Sequence, residues 1–184
     1  MVDHRPATPA TPAKEAAEAA SDATARLIAE LIRRGLTLAV AESLTGGALT
    51  AELIRIPGAS VVVAGGVVAY QTELKHTLLG VDTALLDAHG PVHPEVALQM
   101  AAGVRKSLAV HGRPADIGVA TTGVAGPDGQ GGHEPGTVFV GLADAEEAWA
   151  IPLRLNGDRA AIRAASVAAA IEAVWQLLAR KPLE

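Results

Sequence analysis

Ser43 lies in the segment AESLTGG (41–47), where an apolar run gives way to two glycines and then to a helical pattern. This order predicts a strand, a tight turn and a helix. The serine hydroxyl would then lie among backbone N–H groups of a helix N-terminus, which have no partner within the helix and can hold an oxyanion. A Ser43 or Thr45 that only caps the helix would give the same local pattern. The spacing alone leaves both interpretations open.

A nucleophilic serine needs a base, and Lys75 is the candidate that stands out. It follows the apolar run VVVAGGVVAY (61–70) after five residues, close enough for its long side chain to turn back to the sheet. A lysine removed from water can lose its charge near neutral pH and accept a hydroxyl proton. The alternative is an ordinary solvated lysine on a short helix.

Two further groups could bind an anionic substrate. Gly123, Ala125 and Gly126 follow a predicted strand, so their backbone N–H groups could approach an anion closely, unless the glycines serve only the turn. Arg159 and Arg163 are one helical turn apart and could share a phosphate. A surface pair with Asp158 is the alternative for these arginines.

Composition excludes several function classes. The chain has no cysteine, a net charge of -5 and only 2% aromatic residues, so thiol chemistry is absent and neither a phosphate-binding surface nor a base-stacking platform is indicated. His89 and His93 are four apart, but Gly90, Pro91 and Pro94 interrupt the helix that would align them. We therefore predict no metal, no cofactor and no nucleic-acid partner. His133 and Glu134 are expected to be exposed to solvent in the glycine-rich loop.

The pattern along the chain predicts an α/β fold, with a mixed sheet flanked by helices in layers. Residues 1–14 are predicted to be a disordered tail and residues 15–180 a single domain, without a membrane span and in the cytoplasm. Residues 122–136 form a long glycine-rich loop, a kind of loop that is usually functional. The predicted strands are 37–41, 61–70, 117–121, 138–142 and 148–153. The first predicted helix runs from about residue 14 to residue 34, and the second follows the glycine pair 46–47 and ends at about residue 55. Further helices are predicted over 73–79, 83–88, 94–110 and 158–178.

Five collinear motifs, AESLTGG (41–47), GGVVAYQTELKHTLLGV (65–81), HGPVHPEVALQMA (89–101), TTGVAGPDG with PGTVFVG (121–141) and GDRAAIRAASVAAAI (157–171), together resemble the CinA C-terminal family. The resemblance covers about residues 20–178. It implies hydrolysis of nicotinamide mononucleotide to nicotinate mononucleotide and ammonia, with Ser43 as nucleophile, Lys75 as its base, and Thr122 and Gly123 near the reacting amide. The substrate site is expected to include the further motif positions Glu42, Thr45, Gly46, Gly47, Tyr70, Gly126, Arg159 and Arg163.

The sequence departs from the family pattern at three points. Thr72 stands where the family often has asparagine, and Glu134 replaces the lysine of the usual Lys-Pro-Val-Gly-Thr ending of the glycine loop. Phosphate recognition is then expected to fall on Arg159, Arg163 or backbone groups. The separate nucleotide-hydrolase domain of longer family members has no counterpart before Thr37, so we do not expect that second activity.

Two other functions fit the same motifs. One is a non-catalytic protein that binds a pyridine nucleotide or serves a competence or DNA-damage partner. The other is an amidase for another small amide, because the two candidate catalytic residues specify the chemistry while the altered loop specifies the substrate. We also expect a homodimer.

Overall fold

The computed structural model describes residues 22–180, and these residues form a five-stranded mixed sheet with helices on both faces. The strand order is β2-β1-β3-β4-β5. β2 and β3 run parallel to β1, whereas β4 pairs antiparallel to β3 and β5 antiparallel to β4. The strands are β1 (Leu38–Glu42), β2 (Val63–Val68), β3 (Ile117–Gly123), β4 (Thr137–Ala143) and β5 (Ala148–Arg154). The layered α/β fold predicted from the sequence is confirmed.

The helices are α1 (Ala23–Arg34), α2 (Ala48–Ile54), α3 (Thr72–Leu79), α4 (Thr83–His89), α5 (Pro94–Ser107) and α6 (Arg159–Arg180). A short 3₁₀ turn, Ala59–Val61, precedes β2. The predicted helices and strands are all present, with ends that differ by a few residues. The largest difference is in β2, because Val61, the first residue of the predicted strand 61–70, belongs to that turn, and the strand runs only from Val63 to Val68. The predicted tail, 1–14, and the predicted start of α1 lie outside the described residues.

The two faces of β1 carry two different apolar clusters, because side chains alternate along a strand. Leu38 and Val40 pack with α1, α2 and α6 in the larger cluster. Ala39 and Ala41 pack with α3 and α5 in the second. The large side chains meet the three-helix layer, whereas the small alanines allow α5 to lie close to the sheet. The carboxyl end of β1 is therefore held between two helical layers, and Glu42 and Ser43 leave it at that edge.

The last helix, α6, is long and apolar enough to cross a membrane by length and composition, although no such segment was expected from the sequence. Half of its most apolar window is buried inside the fold. Ile162, Ala170 and Val174 on it are buried against the rest of the domain. Core helices pass the same test of length and composition, so the finding is weak evidence for a membrane span.

Candidate active site

Ser43 and Lys75 meet at the carboxyl edge of the parallel strands. Ser43 is the first residue after β1, and Lys75 lies in the middle of α3. The Lys75 Nζ atom is 3.2 Å from the Ser43 Oγ atom. Ser43 is 8% exposed and Lys75 is completely buried. A nucleophile and a potential base are thus within hydrogen-bond distance, which is the geometry that a base-activated serine requires.

The surroundings of Lys75 favour its neutral form. Its Nζ donates to the Ala69 carbonyl oxygen at 2.7 Å and, more weakly, to the Tyr70 carbonyl oxygen at 3.5 Å. Burial lowers the pKa of Lys75 to about 8, because the buried ammonium loses its hydration. Two carbonyl acceptors can occupy the two N–H bonds of a neutral amine. Its lone pair then remains for the third contact, the Ser43 hydroxyl.

The turn 43–47 connects β1 to α2. Gly46 and Gly47 have φ angles of 59° and 95°, in the left-handed region that glycine adopts without strain. The Ser43 N–H donates to the Thr121 carbonyl oxygen at 3.0 Å, which extends the pairing with β3 by one residue. Among the described residues, no acceptor contacts the backbone N–H groups of Leu44 and Thr45. Within this part of the chain, both donors are unpaired next to Ser43, and Thr45 is completely buried.

A cavity of about 480 Å³ opens over the two residues. Its wall includes seven of the site residues predicted from the sequence: Ser43, Tyr70, Lys75, Thr122, Gly123, Gly126 and Arg159. Thr122 donates its hydroxyl to the Pro91 carbonyl oxygen at 2.7 Å, which ties β3 to the segment before α5. The volume lies in the range of small-molecule sites.

Arg159 lies across the mouth of the cavity. Its Nη1 donates to the Gly126 carbonyl oxygen at 2.9 Å, and its Nη2 donates to the Tyr70 hydroxyl at 3.3 Å. Arg159 and Tyr70 are both exposed. Exposed, neutral partners of this kind can be exchanged for an anion at little cost, so Arg159 is placed to bind a charged substrate group.

Five predicted substrate residues do not line the cavity: Glu42, Thr45, Gly46, Gly47 and Arg163. The Glu42 carboxylate accepts hydrogen bonds from the start of α2, and the buried Thr45 hydroxyl pairs with that of Thr121 at 2.7 Å. The Arg163 guanidinium donates to backbone carbonyl groups of the turn 43–47. The Glu42, Thr45 and Arg163 side chains already have partners within the fold, so these side chains do not suit the substrate contacts expected from the sequence.

Several cavity residues were not among the predicted site residues: Leu44, Gln71, Thr72, Pro91, Val92, Val124, Pro127, Asp128, Gly129 and Gln130. Asp128 and Gln130 belong to the glycine loop, whose length had marked it as functional. Pro91 and Val92 lie in the HGPVHP motif. Its Gly-Pro pair marked an irregular connection, but nothing local indicated that the connection reaches Ser43.

No group of three or more His, Asp or Glu side chains suited to a metal lies within residues 22–180. His89 and His93 stack with their ring centroids 4.6 Å apart, although Gly90 and Pro91 interrupt the helix between them. The His93 Nδ1 accepts from the Glu95 N–H and so caps α5. This histidine pair is therefore accounted for by stacking and capping.

Comparison with known proteins identifies the family of the chain. The model of the CinA C-terminal domain matches residues 20–178. The chain belongs to the CinA C-terminal domain family. A CinA-like protein of Frankia casuarinae is 47% identical over 152 residues, which are 83% of this chain and 34% of that protein. The chain spans about a third of the length of the curated CinA relatives it matches.

Solved structures of the CinA superfamily have the same fold. A superfamily protein from Klebsiella pneumoniae superposes with a TM-score of 0.81 at 32% identity, covering 86% of this chain and 97% of that one. The competence/damage inducible protein CihA from Agrobacterium tumefaciens gives a TM-score of 0.77 at 34% identity, covering 84% and 93%. The family resemblance inferred from the five motifs is confirmed.

Proposed function

We propose that this CinA-family chain is an amidohydrolase that converts nicotinamide mononucleotide to nicotinate mononucleotide and ammonia. The observation that supports it best is the 3.2 Å contact between the buried Lys75 amine and the Ser43 hydroxyl at the wall of a cavity. A hydroxyl is a weak nucleophile until a base takes its proton, and a lysine with a pKa of about 8 is such a base near neutral pH. No metal or cofactor is needed for this chemistry.

Acylation begins with neutral Lys75. Its Nζ takes the Ser43 proton while Oγ attacks the carboxamide carbon, which gives a tetrahedral intermediate and an ammonium on Lys75. The carbonyls of Ala69 and Tyr70 hold that ammonium in place. Lys75 then returns the proton to the amide nitrogen, and ammonia leaves as the carbon–nitrogen bond breaks.

Deacylation repeats these steps with water as the nucleophile. Neutral Lys75 takes a proton from water, the resulting hydroxide attacks the acyl carbon, and Ser43 leaves with the proton that Lys75 returns. The sum is amide plus water giving carboxylic acid plus ammonia. One lysine can serve both halves because each half returns it to its neutral form.

The backbone N–H groups of Leu44 and Thr45 are our candidates for the oxyanion site. They follow Ser43 directly and have no acceptor in the described part of the chain. Oriented donors of this kind typically lower the barrier by about 3 kcal/mol each. Unpaired buried N–H groups cost free energy in the resting protein, and an oxyanion would satisfy them when it forms.

The substrate assignment depends on Arg159. Nicotinamide mononucleotide carries a phosphate, and Arg159 is the arginine on the cavity wall. A phosphate there would replace the Gly126 carbonyl and the Tyr70 hydroxyl as acceptors of the guanidinium hydrogen bonds. We propose on this basis that a pyridine nucleotide is the partner, and we expect the chain to act as a cytoplasmic homodimer.

An amidase for another small amide is a second candidate. Asp128 adds a carboxylate to the cavity wall, and the glycine loop carries Glu134 instead of a lysine. Both features weaken the attraction for a dianion. This alternative keeps Ser43 and Lys75 in the same roles but changes the substrate.

The decisive experiment measures ammonia release by the full chain from nicotinamide mononucleotide, nicotinamide riboside, nicotinamide and other small amides. Ser43→Ala is the control for contaminating amidases. Release from the mononucleotide with the highest kcat/KM supports the proposal. Preference for an amide without phosphate favours the second candidate. Absence of release from every amide, with tight nucleotide binding, would favour a binding role instead.

A further inference from the structure

The Glu42 carboxylate accepts hydrogen bonds from the start of α2, the helix that follows Ser43. Glu42 is the last residue of β1 and is completely buried. One carboxylate oxygen accepts from the N–H groups of Gly47 at 2.9 Å and Leu49 at 3.0 Å. The other accepts from the Thr50 N–H at 2.8 Å and the Thr50 hydroxyl at 2.6 Å. The Gly47 donor thus fixes the end of the turn 43–47 to the strand that precedes it, and the other three donors fix the start of α2 to the same strand.

Arg163, on α6, donates hydrogen bonds to the turn 43–47. Its Nε donates to the Leu44 carbonyl oxygen at 3.0 Å, and its Nη2 donates to the Thr45 carbonyl oxygen at 2.7 Å. The guanidinium passes so close to Gly46 that a Cβ atom there would lie 3.6 Å from Nη2. Both contacts join residues that are more than 100 positions apart in sequence, so they fix the turn to the body of the fold.

The contact with the Leu44 carbonyl also fixes a donor. The Leu44 C=O and the Thr45 N–H belong to one planar trans peptide group and point in opposite directions. Holding the oxygen therefore sets the direction of the N–H. A positive charge on the oxygen also polarises the peptide group, which makes its N–H a stronger donor.

Glu42 and Arg163 bond to backbone groups and, in the case of Glu42, also to the Thr50 hydroxyl. No salt bridge joins them to each other or to another charged side chain within the described range. Burying an ionised group is costly unless hydrogen bonds satisfy it. Here the hydrogen bonds of the two residues all fall on residues 44–50, which follow Ser43 directly and contain the two unpaired N–H groups.

The geometry points to Glu42 and Arg163 as a positioning pair that fixes the turn 43–47, whose Leu44 and Thr45 N–H groups would bind the developing oxyanion. The inference rests on the proposed serine chemistry, but it does not depend on which amide is hydrolysed. It replaces the phosphate-binding role expected for Arg163 and separates this residue from Arg159, one helical turn away. Arg159 binds the substrate, whereas Arg163 orders the turn that carries out the chemistry.

The first experiment compares Arg163→Met with Arg163→Lys and with the control Arg154→Met, an exposed arginine outside the cavity wall. Kinetics with nicotinamide mononucleotide should show kcat for Arg163→Met lowered about 10- to 100-fold, with KM changed less than about threefold. Arg163→Lys should recover part of kcat, because an ammonium can still donate to one of the two carbonyls. A raised KM with unchanged kcat would overturn the inference, since it would make Arg163 a substrate ligand.

A second experiment is independent of the natural substrate. A fluorophosphonate probe forms a bond from Ser43 Oγ to phosphorus and expels fluoride, while its phosphoryl oxygen occupies the oxyanion position. The labelling rate of folded protein should fall about 10- to 100-fold in Arg163→Met and in Glu42→Gln, and stay unchanged in Arg154→Met. Thermal unfolding of each variant gives the folded fraction to which the rate is normalised.

The two proposals can fail separately. If no amide is hydrolysed but Ser43 of the wild-type protein is labelled, and labelling slows in Arg163→Met, the substrate assignment is wrong and the positioning pair stands. If ammonia is released normally and labelling of Arg163→Met matches that of the wild type, the positioning pair is overturned alone. A wild-type Ser43 that is neither labelled nor catalytic would overturn both.

Discussion

The turn 43–47 and the glycine loop 124–136 face each other across one cavity, but they are built differently. Ser43, Leu44 and Thr45 are buried, and the turn is bonded to β3, to Glu42 and to Arg163. The loop is fixed mainly at its base, where the N–H groups of Val124 and Gly136 are paired, and residues 127–132 are exposed. A buried, cross-bonded segment keeps reacting atoms in place, whereas an exposed loop can change without disturbing the core. We therefore expect substitutions in the turn to change kcat and substitutions in the loop to change substrate preference.

The strongest test of this difference is Ser43→Ala. We expect ammonia release to fall about a thousandfold or more, because the covalent step is lost. The unfolding temperature should stay within about 2 °C, because removing one hydroxyl leaves almost no cavity. Residual turnover at the wild-type rate would exclude Ser43 as the nucleophile and, with it, the contrast between turn and loop.

Lys75 gives the next largest effect and a pH dependence. Lys75→Arg should be as inactive as Lys75→Met, because a guanidinium stays protonated. In the wild type, kcat/KM should rise with pH and level off above about 8, the pKa to which burial lowers Lys75. A pH-independent rate, or an active Lys75→Arg variant, would mean that only the positive charge matters.

The same pKa predicts a change in stability. Between pH 8 and about 10.5 the unfolded chain holds a proton on Lys75 that the folded chain has lost, so stability rises with pH through this window. The cost of burying the charge is fully present below pH 8 and is of the order of 3 kcal/mol. Lys75→Met should thus be more stable than the wild type at pH 7, and this gain should shrink as the pH approaches 10.5. Denaturant unfolding at several pH values measures it, and a gain that is constant with pH would contradict the assignment.

Arg159, which contacts the glycine loop, tests the expectation that this side of the cavity determines substrate preference. Arg159→Ala should raise KM for nicotinamide mononucleotide about 10- to 100-fold and leave nicotinamide riboside nearly unchanged, because only the former has a phosphate. Arg154→Ala serves as the matched loss of an exposed arginine. Equal losses for both substrates would place the phosphate elsewhere.

Glu134 should give the smallest effect. Glu134→Lys restores a loop lysine, and we expect KM for the mononucleotide to fall about two- to threefold at low salt, as for an exposed charge. Glu147→Lys changes the net charge equally on the exposed β4–β5 turn and should have no effect. If both variants lower KM equally, the net charge of the protein rather than the position of the lysine in the loop causes the change in KM.

The residue pattern was sufficient for the order of the elements, whereas the pairing of Ser43 with Lys75 was expected from the family resemblance, because spacing alone left other interpretations open for both residues. Strand and helix periodicity determine the elements locally, and the five motifs carry the family resemblance. Arg163 shows the limit. Arg159 and Arg163 are four residues apart on one helix, but one contacts the glycine loop and the other the turn 43–47. That difference depends on how α6 docks against segments that lie 33 to 119 residues away in sequence, and spacing along the helix contains no information about it.

Glu42 is a second residue whose side-chain direction could not be predicted from the sequence. Its place in the motif AESLTGG led us to expect a substrate contact, but the strand turns the Glu42 and Ser43 side chains to opposite faces. The Glu42 carboxylate bonds to α2, on the side of the larger apolar cluster, whereas Ser43 meets Lys75 of α3. The direction of a side chain at a strand end follows from the register of the whole sheet.

That alternation along β1 constrains how the site can vary. Glu42 and the nucleophile Ser43 are adjacent, so their side chains point to opposite faces of the sheet. A deletion or insertion of one residue within β1 would exchange these directions, with the glutamate facing Lys75 and the serine facing α2. Neither residue can shift along the chain alone. Glu42 and Ser43 must therefore be kept together. A design that builds this site on another sheet would have to include both residues in the same register.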